Sequence, residues 1–182
     1  MNEEIVLVND EGKPIGTAPK LAAHTANTPL HLAFSCYLFN KKGQFLLTQR
    51  ALSKKVWPGV WTNSVCGHPA PNEDIKAAIR RRAQYELGLP DVKDLRPILE
   101  NYRYKTPPYN GIIENEICPV FVGAVDSEPA PNPDEVEAYK WASWDEVDSL
   151  IAKDPEAYSY WFKDQLKQLH GLLDPIYSRV GR

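Results

Sequence analysis

A chain of 182 residues, 43% of them hydrophobic, can bury one substantial core, and we expect a single domain over residues 1–182. The formal net charge of −3 argues against broad binding of nucleic acid or anionic membranes, and no apolar run approaches the length of a membrane span. The N-terminus lacks the regions of a signal peptide and the three cysteines are an odd number, so a reducing, cytoplasmic location is predicted.

The first half of the sequence predicts strands followed by a helix. The predicted strands are Ile5–Val8, His31–Asn40 and Gln44–Gln49. The second and third flank Lys41-Lys42-Gly43, which is typical of a hairpin turn. Apolar residues at helical spacing then predict a helix that is capped by Asn72, runs to Leu87 and is stopped by Gly88.

The second half predicts further strands and two helices. The strand-like segments are Leu95–Lys105, Ile112–Val125 and Val136–Trp141. Ser143–Glu146 has the form of a capping box, and Asp154-Pro155 predicts a last helix with Pro155 at its first position. The mostly short connections indicate an α/β fold with antiparallel or mixed strands.

One predicted strand, GIIENEICPVFV, carries two acids. Period-two alternation places Glu114, Glu116 and Cys118 on one face of it. Neighbouring carboxylates resist burial unless a cation or a shared proton compensates them, although an exposed edge strand would also explain them.

Three of the four histidines, His24, His31 and His68, lie in the first 70 residues. Imidazoles combined with carboxylates suit Mn, Fe, Zn or Mg, so the pattern predicts a divalent metal site. Cys66 lies two residues before His68, which is not a zinc-finger spacing. On this evidence Cys66 is a metal ligand, a nucleophile, a proton donor or a small core residue.

A longer pattern follows Cys66 and resembles the Nudix box, a loop–helix–loop that holds magnesium against a diphosphate. The matching residues are Gly67, Glu73, Arg81, Glu86, Gly88 and Leu89. Arg82 and Tyr85 stand where the box has two of its acids. Those acids gather the metals with which Nudix hydrolases activate water, so the scaffold matches and the hydrolytic cluster does not.

Between His24 and Trp161 the chain resembles the type 1 isopentenyl-diphosphate isomerases. The resemblance is carried by LHLAFS, QRALSKKVWPGVWTNSVCGHP, GIIENEICPVF and AYSYW, in this order. It implies a Nudix-type α/β/α sandwich with a mixed β-sheet. It also implies an enzyme of isoprenoid biosynthesis that converts isopentenyl diphosphate to dimethylallyl diphosphate, by protonation and deprotonation through a tertiary carbocation.

The resemblance implies roles for individual residues. Cys66 and Glu116 match the proton-transfer pair, and Tyr104 and Trp161 match active-site aromatics. The residues that match the ligands of a Mn, Zn or Mg ion are His24, His31, His68, Glu114 and Glu116. Glu86 matches a residue that helps to carry a second ion, magnesium, with the diphosphate. Lys20, Arg50 and Lys54 match basic residues near the phosphates.

The chemistry adds one residue and leaves several questions open. Trp61, like Trp161, offers a π face to a carbocation. Either Cys66 or Glu116 could be the acid, and the protein could be a monomer or a homodimer. Two other functions compete: a Nudix diphosphohydrolase, disfavoured by the missing acids, and a closed structural metal site of Cys66 with the histidines, disfavoured by the adjacent carboxylates.

Overall fold

The computed structural model describes residues 3–172, so the predicted domain of residues 1–182 extends beyond the described part at both ends. Within this range there are twelve strands and four α-helices. The helices are α1 Lys20–Ala23, α2 Ile75–Leu87, α3 Trp144–Lys153 and α4 Tyr160–Leu169. None of these helices is long and apolar enough to cross a membrane.

The strands form two sheets. One has five strands in the order β2 Pro14–Pro19, β1 Glu4–Val8, β3 His31–Leu32, β10 Asn115–Ile117 and β9 Arg103–Lys105. The other has seven, with the path β12 Val136–Ala142, β5 Phe45–Arg50, β4 Phe34–Phe39, β11 Val120–Ala124 and β8 Lys93–Leu99, to which β6 Trp61–Thr62 and β7 Val65–Gly67 are added beside β5 and β4. The β3–β10 and β4–β11 pairs are parallel and the others antiparallel, so both sheets are mixed, as predicted.

The larger sheet has helices on both faces because β4 is buried on both sides. Tyr37 and Phe39 belong to a core cluster that includes α3 and α4 residues, such as Trp144 and Phe162. Phe34, Cys36 and Leu38 face a second cluster that includes the apolar side of α2. This arrangement confirms the predicted α/β/α sandwich.

Three segments predicted as single strands are each divided between the sheets, which corrects the prediction. Ile112–Val125 contains β10 and β11, and the chain changes sheet at Cys118-Pro119, where proline supplies no N–H to a ladder. Leu95–Lys105 likewise overlaps β8 and β9. The predicted strand His31–Asn40 also divides into β3 and β4. The parallel pair of β3 and β10 in the small sheet is therefore followed along the chain by the parallel pair of β4 and β11 in the large sheet.

The starts of two helices also differ from the prediction. Asp74, whose side chain accepts a hydrogen bond from Ala77 N at 3.1 Å, caps α2, while Asn72 lies in a turn at a φ of 64°. Pro155–Ala157 is a short 3₁₀ turn, and α4 begins only after Ser159, whose hydroxyl accepts from Phe162 N. In both cases a side-chain oxygen closer to the helix than the predicted cap accepts a hydrogen bond from the first turn. The capping box at Ser143 and Glu146 is confirmed.

Candidate active site

The predicted metal ligands converge because β3, β9 and β10 are neighbours. In the small sheet Glu116 is paired with His31 on one side and with Tyr104 on the other. Glu116 Oε1 lies 3.5 Å from His31 Nε2 and 3.2 Å from His68 Nε2, and the two Nε2 atoms are 3.2 Å apart. His24, at the end of α1, places its Nε2 atom 3.0 Å from Glu114 Oε2.

The hydrogen bonds of the histidines show that this cluster fits a cation. Nδ1 of His24 donates to Lys20 O at 2.6 Å, and Nδ1 of His31 donates to Pro29 O at 2.9 Å, so in the neutral rings both Nε2 atoms carry lone pairs. These lone pairs face carboxylate oxygens. Within residues 3–172, His24 Nε2, His68 Nδ1 and Glu114 Oε2 are buried without a hydrogen-bond partner, and the His24 and Glu114 atoms lie 3.0 Å apart with no hydrogen between them when the ring is neutral. The donor set suits a divalent metal.

The charge states support the same assignment. Burial lowers the pKa of His68 to about 4, so this imidazole is neutral and has a lone pair to give. Burial opposes ionisation of Glu116, but the contacts with His31 and His68 outweigh it and hold the pKa of that carboxyl well below its usual range. Neutral imidazole and ionised carboxylate are the forms that ligate metals.

These groups open into one cavity of about 870 Å³. All of the predicted site residues line it except His31, which is fully buried behind Glu116, and Trp61. On the two-residue strand β6, alternation turns Thr62 inward and Trp61 outward, where Lys140 Nζ lies 4.3 Å from the centre of its ring. Trp61 is therefore not among the residues that line the cavity in this structure.

Cys66 and Glu116 reach the cavity from different sheets. Cys66 lies on β7 opposite Ser35 of β4, whereas Glu116 lies on β10 of the small sheet. Burial raises the pKa of the Cys66 thiol to about 11, so it carries its proton at neutral pH. Burial, and next to it the charge of Glu116, also raise the pKa of Tyr104 well above its ordinary value, so its hydroxyl remains a donor.

A group of charged side chains occupies another part of the cavity wall. Arg82 donates to Glu86 Oε1 at 2.7 Å and to Glu135 Oε2 at 3.1 Å, and Lys54 donates to the same oxygen of Glu135. Lys20 pairs with Glu3 at 2.8 Å. The sequence singled out Arg82 only as a missing acid and gave no signal for Glu135, which lies 53 positions further along the chain.

The remaining predicted cation, Arg50, lies beside the aromatic wall of the cavity. Arg50 is fixed by donating to the carbonyls of Val56 and Trp57, and its guanidinium carbon lies 5.8 Å from the centre of the Trp161 ring. The rings of Trp161 and Tyr104 are 6.3 Å apart. The cavity thus combines a metal-ligand cluster, a protonated thiol, aromatic faces and several cations.

Comparison with known proteins decides the family. The sequence profile of the NUDIX domain matches residues 29–165. The "Isopentenyl-diphosphate Delta-isomerase" of Saccharopolyspora erythraea is 50% identical over 167 residues, which cover 92% of this chain and 86% of that protein. The protein of the same name from Klebsiella pneumoniae (strain 342) is 50% identical over 159 residues, covering 87% of this chain and 86% of the relative.

The chain belongs to the type 1 isopentenyl-diphosphate isomerase family of the Nudix superfamily.

Solved structures agree on the Nudix fold. A Deinococcus radiodurans crystal structure has a TM-score of 0.70 at 21% identity and covers 93% of this chain and 99% of its own. The MutT protein of Methanosarcina mazei Go1 has a TM-score of 0.62 at 20% identity, with 80% and 96% covered. At these identities the likeness extends to the fold alone.

Proposed function

We propose that this protein isomerises isopentenyl diphosphate to dimethylallyl diphosphate by moving protons between the substrate and the pair Cys66 and Glu116. The observation that carries the proposal is their placement: a protonated thiol and an ionised carboxylate enter one cavity from separate sheets. An alkene is a very weak base, so its protonation needs a well-placed acid, and a base must then remove a different proton.

The proton balance is complete within this pair. One group protonates the terminal methylene carbon of the substrate, which leaves a tertiary cation, and the other removes a proton from the neighbouring methylene group. Tyr104, opposite Glu116 and still protonated, can donate a hydrogen bond to that carboxylate. In these protonation states Cys66 has the proton to give and the Glu116 carboxylate can accept one, and exchange with solvent restores both groups before the next turnover.

The walls of the cavity suit a short-lived cation. Trp161 and Tyr104 present aromatic rings, and a cation over such a face is stabilised by about 2 kcal/mol or more when both are desolvated. The same rings keep out water, which would convert the cation to an alcohol. Because Trp61 faces Lys140, we assign it no part in this wall.

Two metal ions are implied by the family, and the cluster of histidines and carboxylates fits the first of them. His24, His31, His68, Glu114 and Glu116 would hold the first, a Mn, Zn or Mg ion. A bound divalent ion supplies positive charge that fixes the ligand carboxylate and increases the acidity of its site. Glu86 would hold magnesium together with diphosphate oxygens, since magnesium commonly uses one or two carboxylates plus substrate phosphates.

The diphosphate requires further positive charge. Lys20, Arg50 and Lys54 line the cavity and would contact the phosphates, and we add Arg82 to this group because it lines the same cavity. Its ion pairs with Glu86 and Glu135 keep the guanidinium in place before substrate arrives. Such charge-assisted donors bind phosphate oxygens strongly.

The test compares two cysteine variants. Purified protein is incubated with isopentenyl diphosphate, Mg²⁺ and Mn²⁺, and the new methyl signal of dimethylallyl diphosphate is followed by proton NMR. Cys66→Ala should abolish the signal. Cys36→Ala is the matched control, because Cys36 lies in the core between β4 and α2, and this variant should retain the signal. Turnover by Cys66→Ala at the wild-type rate would exclude the proposed role.

A cytoplasmic location remains a prediction. The cysteines Cys36, Cys66 and Cys118 are all unpaired thiols, which agrees with a reducing compartment.

A further inference from the structure

The hydroxyl group of Thr62 has three polar neighbours. Trp161 Nε1 donates to it at 2.9 Å, Ser159 Oγ lies 3.0 Å away, and Asn63 Oδ1 lies 3.0 Å away on another side. A threonine hydroxyl has one hydrogen to give and two lone pairs. If Ser159 donates to Thr62 and Thr62 donates to Asn63, every one of these groups is satisfied.

The orientation of the Asn63 amide is determined independently. Its Nδ2 atom donates to the backbone carbonyls of Cys36 and Val65, both at 3.1 Å, and a carbonyl can only accept. Oδ1 must therefore be the acceptor that faces Thr62 and Cys66. It receives a hydrogen bond from Cys66 Sγ at 3.0 Å in addition to that from Thr62.

This network joins two parts of the catalytic cavity that are far apart in sequence. Trp161 lies at the start of α4 and Cys66 lies on β7, yet two side chains, those of Thr62 and Asn63, connect them. Asn63 and Ser159 are fully buried, and Thr62 is 5% exposed, so water does not compete for these bonds. The helix is docked on the same strand by Ser159 N, which donates to Trp61 O at 2.9 Å.

We propose that Thr62 and Asn63 are positioning residues, which hold the Cys66 thiol and the Trp161 indole in one fixed arrangement around the reacting carbon atoms. The inference rests on the proposed isomerase function. Neither residue carries the positive charge that binds a diphosphate, so loss of the arrangement affects the chemical step more than substrate binding. A displacement of about 1 Å at a reacting group can lower a rate by about 100-fold.

Thr62→Val tests the proposal, because valine keeps the shape of threonine and removes only the hydroxyl. We expect kcat to fall at least about tenfold while KM stays within about twofold. Thr62→Ser restores the hydroxyl and should return kcat to within about threefold of the wild type. If Thr62→Val does not fold, Thr62→Ala is measured instead, with the same expected separation of kcat from KM.

Ser64→Ala is the matched control. Its hydroxyl is also fully buried and lies two positions further along, but it accepts from Leu38 N and donates to Leu46 O, so its bonds join backbone groups of β4 and β5. This variant should lose thermal stability with an unchanged kcat per folded molecule. An equal loss of kcat in Ser64→Ala and Thr62→Val would show that the network has only a structural role, and would overturn the proposal. A wild-type kcat in Thr62→Val, or a kcat in Thr62→Ser that stays as low as in Thr62→Val, would also overturn it.

A second readout does not depend on turnover. The indole N–H proton of Trp161, assigned by its disappearance in Trp161→Phe, should exchange slowly with solvent in the wild type and in Thr62→Ser. It should exchange faster in Thr62→Val, because its acceptor is gone. An unchanged exchange rate of the Trp161 indole proton in Thr62→Val would contradict the network itself. If this exchange pattern holds but the wild type does not isomerise isopentenyl diphosphate, only the proposed function is contradicted.

Discussion

Replacing Glu114 by glutamine should change stability in opposite directions with and without metal. In the metal-free protein, Glu114 Oε2 faces the Nε2 lone pair of neutral His24 at 3.0 Å, since His24 Nδ1 already donates to Lys20 O. A glutamine amide can donate to that lone pair. A net hydrogen bond contributes about 1 kcal/mol, which raises Tm by about 2–4 °C for a chain of this size.

The protonation of His24 sets the pH at which this advantage appears. Burial opposes a charge on His24, but its bond to Glu114 and the charge of that carboxylate raise its pKa overall. Because the pKa of His24 is higher in the folded than in the unfolded protein, its protonation stabilises the folded protein at pH values below the unfolded-state pKa. This contribution is lost as the pH rises through the folded-state pKa. At about pH 6 the wild type should therefore equal or exceed Glu114→Gln, and the glutamine variant should be more stable at about pH 9, where imidazole is neutral.

Bound metal should reverse the order at the higher pH. At a metal concentration about 100 times Kd, the wild type gains about 2.7 kcal/mol. The variant has one carboxylate fewer, and each tenfold loss of affinity removes about 1.4 kcal/mol of that gain.

Thermal unfolding in chelator and in excess Mn²⁺ measures both effects. Glu137→Gln, an exposed position on β12, is the matched control and should follow the wild type in both conditions. The reasoning is refuted if Glu114→Gln at about pH 9 is less stable than the wild type in chelator, or if it gains as much as the wild type from the metal.

Three further predictions concern hydrolysis, the thiol and a helix cap. Because Arg82 and Tyr85 replace box acids, phosphate release from nucleoside or isoprenoid diphosphates should stay far below about 1 per second; release at that rate in a malachite-green assay would contradict this. Burial raises the pKa of Cys66 to about 11, so its alkylation by iodoacetamide, followed by mass spectrometry, should be slow at neutral pH and accelerate towards about pH 11; a plateau near neutrality would show a thiolate. Ser143→Ala removes the capping box of α3 and should lower the unfolding free energy by about 1 kcal/mol with activity intact; an unchanged Tm would refute the cap.

The candidate residues of the site can be predicted from the sequence because they fall in short motifs. The short motifs indicate Glu114, Glu116, Cys66 and the three histidines, and in the structure these residues lie in or beside one cavity. The regular elements with local signals, such as α2 and the hairpin of β4 and β5, were predicted as well.

The remaining features depend on contacts between distant parts of the chain. Hydrophobic periodicity does not show that a strand changes sheet at Pro119, since the side-chain alternation looks alike on both sides. It also gave no reason to place Trp61 outside the cavity, because β6 has two residues and its direction is set by pairing with β5. The contact of Arg82 with Glu135 and the bonds of Asn63 arise only in the folded chain.

Solvent deuterium is the most direct test of the proton-transfer mechanism. The wild-type protein is incubated with isopentenyl diphosphate, Mg²⁺ and Mn²⁺ in heavy water, and the dimethylallyl product is examined by deuterium NMR. If Cys66 and Glu116 add one proton and remove another, both exchange with solvent between turnovers, and deuterium should appear in the terminal methyl group. A dimethylallyl product formed without deuterium would show an internal hydrogen shift and contradict the role of both residues.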